Sequence, residues 1–351
     1  MAQSVLLAGW AGGGNVPPLV CLAQEMADQG VRVAVLPGRG LSARVQGTPA
    51  TILPETAGWL PGADDILSAV DQWGPDGLVV DYMLTDALCG AEASGKPTVA
   101  FVHTLYRALL GDGAPHPMGM AGPVDALNQT RARLGLRPIQ GYADLLTASA
   151  LVSVAAPREL DGPGEVPANV GYLGPLIPRS APGIRWRPPK GSGPLVAVSL
   201  GTAATVENEA EIIQRILGAL GKMPVRGLVN LPDHIRPRDL AAPSNVTLAG
   251  YIPHQAVLGH ASVLVTHAGL GSVMAALATG VPMVCVPLGR DQPENAAAAS
   301  RIGRAVVLSP DAEPDAIVGA IADALALGHG TPVRTDPASA TRTVISALSG
   351  S

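Results

Sequence analysis

Between Gly174 and Gly193 the chain reads GPLIPRSAPGIRWRPPKGSG, dense in proline and glycine and without a hydrophobic period. Neither a helix nor a central strand tolerates that density of breakers, so the stretch reads as a linker. What constrains the fold is that the same order of strand, small-residue loop and helix begins on each side of it. Before the linker, Ser4–Gly9 (SVLLAG) is a short apolar strand. It enters Gly12-Gly13-Gly14 and then a helix with Pro17 and Pro18 in its first turn and Gly30 past its end. After the linker, Leu195–Leu200 is a strand, Gly201-Thr202 a turn and Val206–Leu220 a helix.

The alternation continues in both segments. Strands at Val31–Leu36, Gly77–Tyr82, Thr98–His103 and Leu151–Ala155 are separated by helices at Asp64–Trp73, Asp86–Ala93 and Val124–Leu134. Further on, strands at Arg226–Leu231, Val246–Tyr251, Ser262–Thr266 and Met283–Val286 accompany helices at Gly271–Ala278, Gln292–Ile302 and Asp315–Leu327. Strands spaced by helices make parallel βαβ units. The expected class is therefore α/β, with two Rossmann-like doubly wound domains at residues 1–178 and 194–332. The linker spans 179–193, and a C-terminal tail at 333–351 carries a short helix. Open sheets of this kind bind ligands outside the carboxyl ends of their strands, so the two domains are expected to face a cleft.

Composition removes several classes of function. The 351 residues are 47% hydrophobic and 15% charged, enough apolar content to fold about two domains. Twenty-eight acidic against 23 basic residues give a net charge of −5, which argues against a nucleic-acid partner. Cys21, Cys89 and Cys285 are too dispersed for a CxxC pair and too few for a disulfide framework, which fits a reducing cytoplasm. No apolar run reaches the ~18 residues of a membrane span, and no basic residue precedes the apolar start as in a signal peptide. Histidines at 103, 116, 234, 254, 260, 267 and 329 form no HExxH, and no Asp-x-Asp triplet occurs. No metal or other cofactor is expected.

A nicotinamide site fails on its details. Counting from Gly12, the third glycine of G-x-G-x-x-G is replaced by Pro17, and the second strand ends at Pro37-Gly38-Arg39 without an acid for a ribose. The informative segment is Asn245 to Val307. There a strand (VLVT) runs into His267-Ala268-Gly269-Leu270-Gly271-Ser272 and then a helix. Unpaired N–H groups and the helix dipole make such a turn an anion site, and its glycines let phosphate oxygens approach. A capped tight turn accounts for the same six residues taken alone.

The wider pattern adds Pro253 to Leu258, Gly280-Val281-Pro282, Asp291-Gln292, Asn295-Ala296 and Gly303 at fixed spacings. In this the chain strongly resembles the inverting nucleotide-sugar glycosyltransferases of the GT-B fold, especially the natural-product enzymes and the antibiotic-type members from bacteria. The resemblance implies that His267, Gly269, Gly271 and Ser272 hold the donor diphosphate. It implies that Asp291 and Gln292 bond the sugar, that the backbone near Tyr251, Ile252 and Pro253 faces the nucleobase, and that Thr202 lies near the phosphates or sugar. The partners it implies are a nucleotide-sugar donor and a small lipophilic acceptor, bound by a monomer or homodimer. A catalytically silent nucleotide-sugar binder and a GT-B epimerase are the alternatives.

The sequence departs from the family pattern at two places. Many relatives carry Gly-His-x-x-Pro in the first loop, whose histidine deprotonates the acceptor. Here the run is Gly14-Asn15-Val16-Pro17-Pro18, and Asn15 has no titratable proton. Its usual aspartate partner matches Asp81, which, if unpaired, serves as the base directly or through a water. Asp291 and His103 are the other candidate bases, and Asn15 orients the acceptor hydroxyl. The second departure is Ala275, where many users of uridine donors have a ribose-binding glutamate. Its absence favours a dTDP-sugar. The acceptor is expected near Trp59, Tyr82, Met83, Tyr106 and the loop Gly111–Gly122.

Overall fold

The apolar runs of the first segment become strands covered on both faces, as parallel sheets require. The computed structural model describes residues 2–109, 123–179, 186–201, 207–334 and 336–349. Two compact units emerge, one of residues 1–178 with 335–351 and one of residues 179–334. In the first, β1 (Ser4–Gly9), β2 (Arg32–Pro37), β3 (Thr51–Ile52), β4 (Gly77–Asp81), β5 (Thr98–Val102), β6 (Leu151–Val154) and β7 (Val170–Tyr172) form one sheet in the order β3-β2-β1-β4-β5-β6-β7. Every pairing in it is parallel. All residues of β1, β4 and β5 are buried, which is why their sequences are continuous apolar runs rather than alternating ones.

Helix Val16–Asp28 lays Val16, Leu19, Leu22, Ala23 and Met26 on this sheet, the three-to-four spacing of one helical face. The chain's last helix, Pro337–Ala347, belongs to the same unit. Its Ala340, Val344 and Ile345, with Leu348 beyond, share a core with Leu22 and Met26. A Cβ on Gly77 would stand 2.9 Å from that of Leu348, so β4 begins on a glycine because this leucine lies against it. Burying such a side chain stabilises by roughly 2 kcal/mol. The tail expected at 333–351 is thus a docked element of the first unit.

The second unit contains β8 (Leu195–Ser199), β9 (Arg226–Asn230), β10 (Val246–Ala249), β11 (Val263–Thr266), β12 (Met283–Cys285) and β13 (Ala305–Val307), in the order β10-β9-β8-β11-β12-β13. These strands too are all parallel. Helices Glu209–Gly221 and Pro314–Leu327 cover one face, with Ile213, Ile216, Leu217, Ile317 and Ile321 in the core. In each sheet the strand order reverses once, between β1 and β4 and between β8 and β11. Loops leaving the carboxyl ends of those strands flank a crevice, the position where open α/β sheets bind ligands.

Candidate functional site

Each unit gathers polar side chains at its own reversal point. In the first, β1 runs through Trp10 into the glycine loop and delivers Asn15 at the start of helix Val16–Asp28. A Cβ on Gly12 would lie 2.6 Å from the Trp10 ring and 2.9 Å from Asn15 Oδ1, so the loop packs this closely only with glycine there. β4 ends on Asp81 itself, and β5 ends one residue before His103. The register sets Asp81 beside Phe101, which places His103 two residues further along the neighbouring strand.

These three side chains meet. Asn15 Nδ2 donates to Asp81 Oδ2 at 2.9 Å and to the Trp10 carbonyl at 2.9 Å. The Met83 N–H donates to Asp81 Oδ1 at 3.0 Å. His103 Nε2 lies 3.1 Å from Asp81 Oδ1 and 3.2 Å from Oδ2. The Asp81 side chain is 2% exposed, that of His103 12%. Asp81 is therefore paired, and its histidine arrives from the end of β5 instead of from position 15. Asn15 has both amide hydrogens committed within the protein, so it holds the carboxylate and donates to no acceptor hydroxyl. Tyr82, Met83 and Tyr106, expected beside the acceptor, are buried in the unit, whereas Trp59 is largely exposed. Loop Gly111–Gly122 lies outside the described residues.

In the second unit β11 delivers His267, and helix Leu270–Thr279 starts after Gly269. The His267 ring is held between two glycines. A Cβ on Gly269 would sit 2.6 Å from Nε2 and one on Gly201 3.1 Å from it. The turn needs Ala268 at φ +64°, left-handed backbone that costs a non-glycine residue roughly 1–2 kcal/mol. Asn295 offsets part of this strain, since its Nδ2 donates to the Ala268 carbonyl at 3.1 Å. The same amide donates to Asp291 Oδ2 at 2.9 Å, tying that carboxylate to the turn. Gly271 and the buried Ser272 occupy the first turn of the helix, which carries no acidic residue. The motif thus forms a tight turn that leads directly into a helix N-terminus.

Gln292 is buried, and its Oε1 accepts from the Leu288 N–H at 2.7 Å, which leaves the Nε2 amide as the group a sugar hydroxyl can meet. Tyr251 is 66% exposed, and the Ile252 carbonyl accepts from Asn230 Nδ2 at 3.1 Å. Thr202 lies outside the described residues. Asn230 and Ala268 had no signal in the sequence. Among the described residues no group of three or more His, Cys, Asp or Glu is placed to hold a metal ion, and no helix is long and apolar enough to cross a membrane.

Burial lowers the pKa of His267 to about 4, against smaller opposing effects of the Ser199 carbonyl and the Asp291 carboxylate. Burial likewise lowers that of His254 to about 4, and the two rings would repel if both were charged. Both are neutral at pH 7, so His267 can donate to a phosphate without carrying charge of its own. The unfolded chain takes up these protons near pH 6.5, the folded chain only near pH 4, so stability is expected to fall as pH drops through that window. The loss at pH 5 is on the order of 2 kcal/mol per imidazole. Denaturant melts at pH 7 and pH 5 check this: His254→Gln should lose less stability between them than the parent, and equal losses would contradict the assignment.

The sequence model of the UDP-glucoronosyl and UDP-glucosyl transferase family matches residues 160–313. The 4′-demethylrebeccamycin synthase of Lentzea aerocolonigenes is 27% identical over 379 residues, covering 88% of each chain. The crystal structure of the calicheamicin glycosyltransferase matches with a TM-score of 0.79 at 22% identity, over 100% of this chain and 99% of the other. The spinosyn rhamnosyltransferase complexed with thymidine diphosphate matches with a TM-score of 0.69 at 17% identity, over 99% and 96%.

Proposed function

We propose, from the family-model match, the relatives and the fold, that this chain is a GT-B glycosyltransferase that moves a sugar, inverting its anomeric centre, from a dTDP-deoxysugar to a hydroxyl of a lipophilic natural product. The observation that carries the reading is the turn from His267 to Ser272, with its neutral buried imidazole between Gly201 and Gly269 and the start of helix Leu270–Thr279 behind it. Charge develops on the departing diphosphate, and prearranged N–H donors at a helix terminus stabilise it without reorganising. That role is the one a divalent cation fills elsewhere, and no metal is invoked here. Asp291 and the Gln292 amide are the sugar-hydroxyl partners in this reading, and Tyr251 and the Ile252 backbone face the base. The natural-product relative supports a small lipophilic acceptor, and the neighbour solved with thymidine diphosphate supports the thymidine donor.

Nucleotide choice rests on Ala275. It lies five residues into helix Leu270–Thr279, 8% exposed, about one turn beyond the phosphate-binding end. A methyl group there gives a ribose 2′-hydroxyl no charged acceptor and costs a deoxyribose nothing. We expect dTDP to bind more tightly than UDP by ~1–3 kcal/mol, the range for a hydrogen bond to a charged group. Ala275→Glu should narrow or reverse the difference. Titration calorimetry with both diphosphates on both proteins tests it, with thermal melting to confirm that the variant folds around the new carboxyl. Equal affinities in the parent chain would refute the argument.

A further inference from the structure

We infer that Asn230 is a positioning residue that decides which nucleobase the donor carries, by pinning the backbone at Ile252 against which the base lies. The inference rests on the reading above that puts the base there, and adds the side chain that gives that backbone one orientation. Asn230 is the last residue of β9. Strand pairing sets it level with Ala249 at the end of β10, with Ser199 at the end of β8 and, one strand further, with Thr266. That row runs along the carboxyl edge of the second unit's sheet. Strands lie about 4.8 Å apart, so Asn230 stands roughly 10 Å from the backbone that delivers His267. A nucleoside laid along this edge, with its diphosphate at His267, brings its base beyond β9 to the loop that follows β10.

The amide of Asn230 is only half satisfied. Its Oδ1 is buried without a hydrogen-bond partner, a state that folded chains rarely keep unless the rest of the group is needed. The need is at Nδ2, which donates to the Ile252 carbonyl at 3.1 Å. A carbonyl only accepts, so the amide cannot sit the other way round. Among the described residues this is the sole hydrogen bond on the backbone of Gly250, Tyr251 and Ile252. Those three residues join Ala249, where β10 ends, to Pro253 at the head of the short helix His254–Val257. Pro253 keeps Ile252 out of the helical region, and Asn230 fixes where its carbonyl points. The Ile252 N–H and the second lone pair of its carbonyl then remain as a donor beside an acceptor. Thymine and uracil present the complement, the O4 carbonyl beside the N3 hydrogen. Cytosine presents an amino group beside a bare N3, so donor meets donor and acceptor meets acceptor. Without the pin the carbonyl can turn, and that distinction goes with it.

The test uses the full chain and titration calorimetry with dTDP and dCDP, which share sugar and diphosphate and differ in the base. The parent should bind dTDP about tenfold more tightly, the worth of one well-made hydrogen bond. Asn230→Leu keeps the volume and removes both the pin and the stranded oxygen. It should melt at or above the parent temperature and bind dTDP about five- to tenfold more weakly. Its dCDP affinity should stay near that of the parent, so the ratio of the two affinities falls toward one. Asn230→Ala should lower the same ratio, and its retained dCDP binding would show that the unit is folded. An equal loss of both nucleotides makes Asn230 merely structural, and an unchanged ratio leaves it no part in base choice. Either result overturns the inference and leaves the transferase reading standing, as does a parent that binds dTDP and dCDP alike. A parent chain that binds neither nucleotide overturns the thymidine-donor reading and the inference with it.

Discussion

Asp81→Asn is expected to lower kcat toward an alcohol acceptor on the order of 10³- to 10⁴-fold, with dTDP affinity within about twofold of the parent, as when a base loses the carboxylate that sets its tautomer. The substitution keeps the shape of the side chain. One oxygen remains to accept the Met83 N–H, while the new NH₂ faces His103 Nε2 or the Asn15 amide. Donor then meets donor at one of these contacts, which disturbs the arrangement of Asn15, Asp81 and His103. Because Asp81 and His103 share one hydrogen-bond network, the two changes should not add: Asp81→Asn combined with His103→Gln should be about as slow as the worse single variant. If Asp81 were instead the base, His103→Gln alone would be mild and the double variant no worse than Asp81→Asn. Steady-state kinetics on the three variants separates these outcomes, and Asn15→Ala should fall between them and the parent, since it loosens the carboxylate without removing it.

The pairing behind this prediction shows where the sequence stops being readable. The two-unit α/β plan was legible because its strands are long apolar runs bounded by glycine and proline. The second unit's turn was legible because His267, Gly269, Gly271 and Ser272 fall within six consecutive residues. Asp81 and His103 are 22 residues apart, and their contact depends on the register of β4 against β5, which no local pattern fixes. One signal was present: LVVD and AFVH are both apolar strands ending in a titratable residue, and adjacent parallel strands bring such ends together. The short strands β3, β7 and β13, of two or three residues, carry too few positions to show a period at all. The left-handed Ala268 is set by the tertiary contact from Asn295 and has no composition to announce it.

His267→Ala is expected to reduce turnover with every acceptor by on the order of 10²-fold, the cost of one donor to developing negative charge. Here the acceptor's acidity should make no difference, because the lost interaction is with the leaving group. Nucleotide affinity should fall as well, since the diphosphate of the free product carries the charge that the imidazole meets. The fold should survive and gain in one respect. The parent pays for keeping this ring neutral below pH 6.5, and Gly201 and Gly269 have no need of an imidazole between them to hold their conformation. The variant should therefore resist acid better than the parent between pH 6 and 5 while binding dTDP less well, a combination that general damage to the unit would not produce. Calorimetric titration at pH 7.5 and melts across the acid range measure both halves. A variant with parental dTDP affinity and parental turnover would remove His267, and with it the helix-terminus turn, from the diphosphate site.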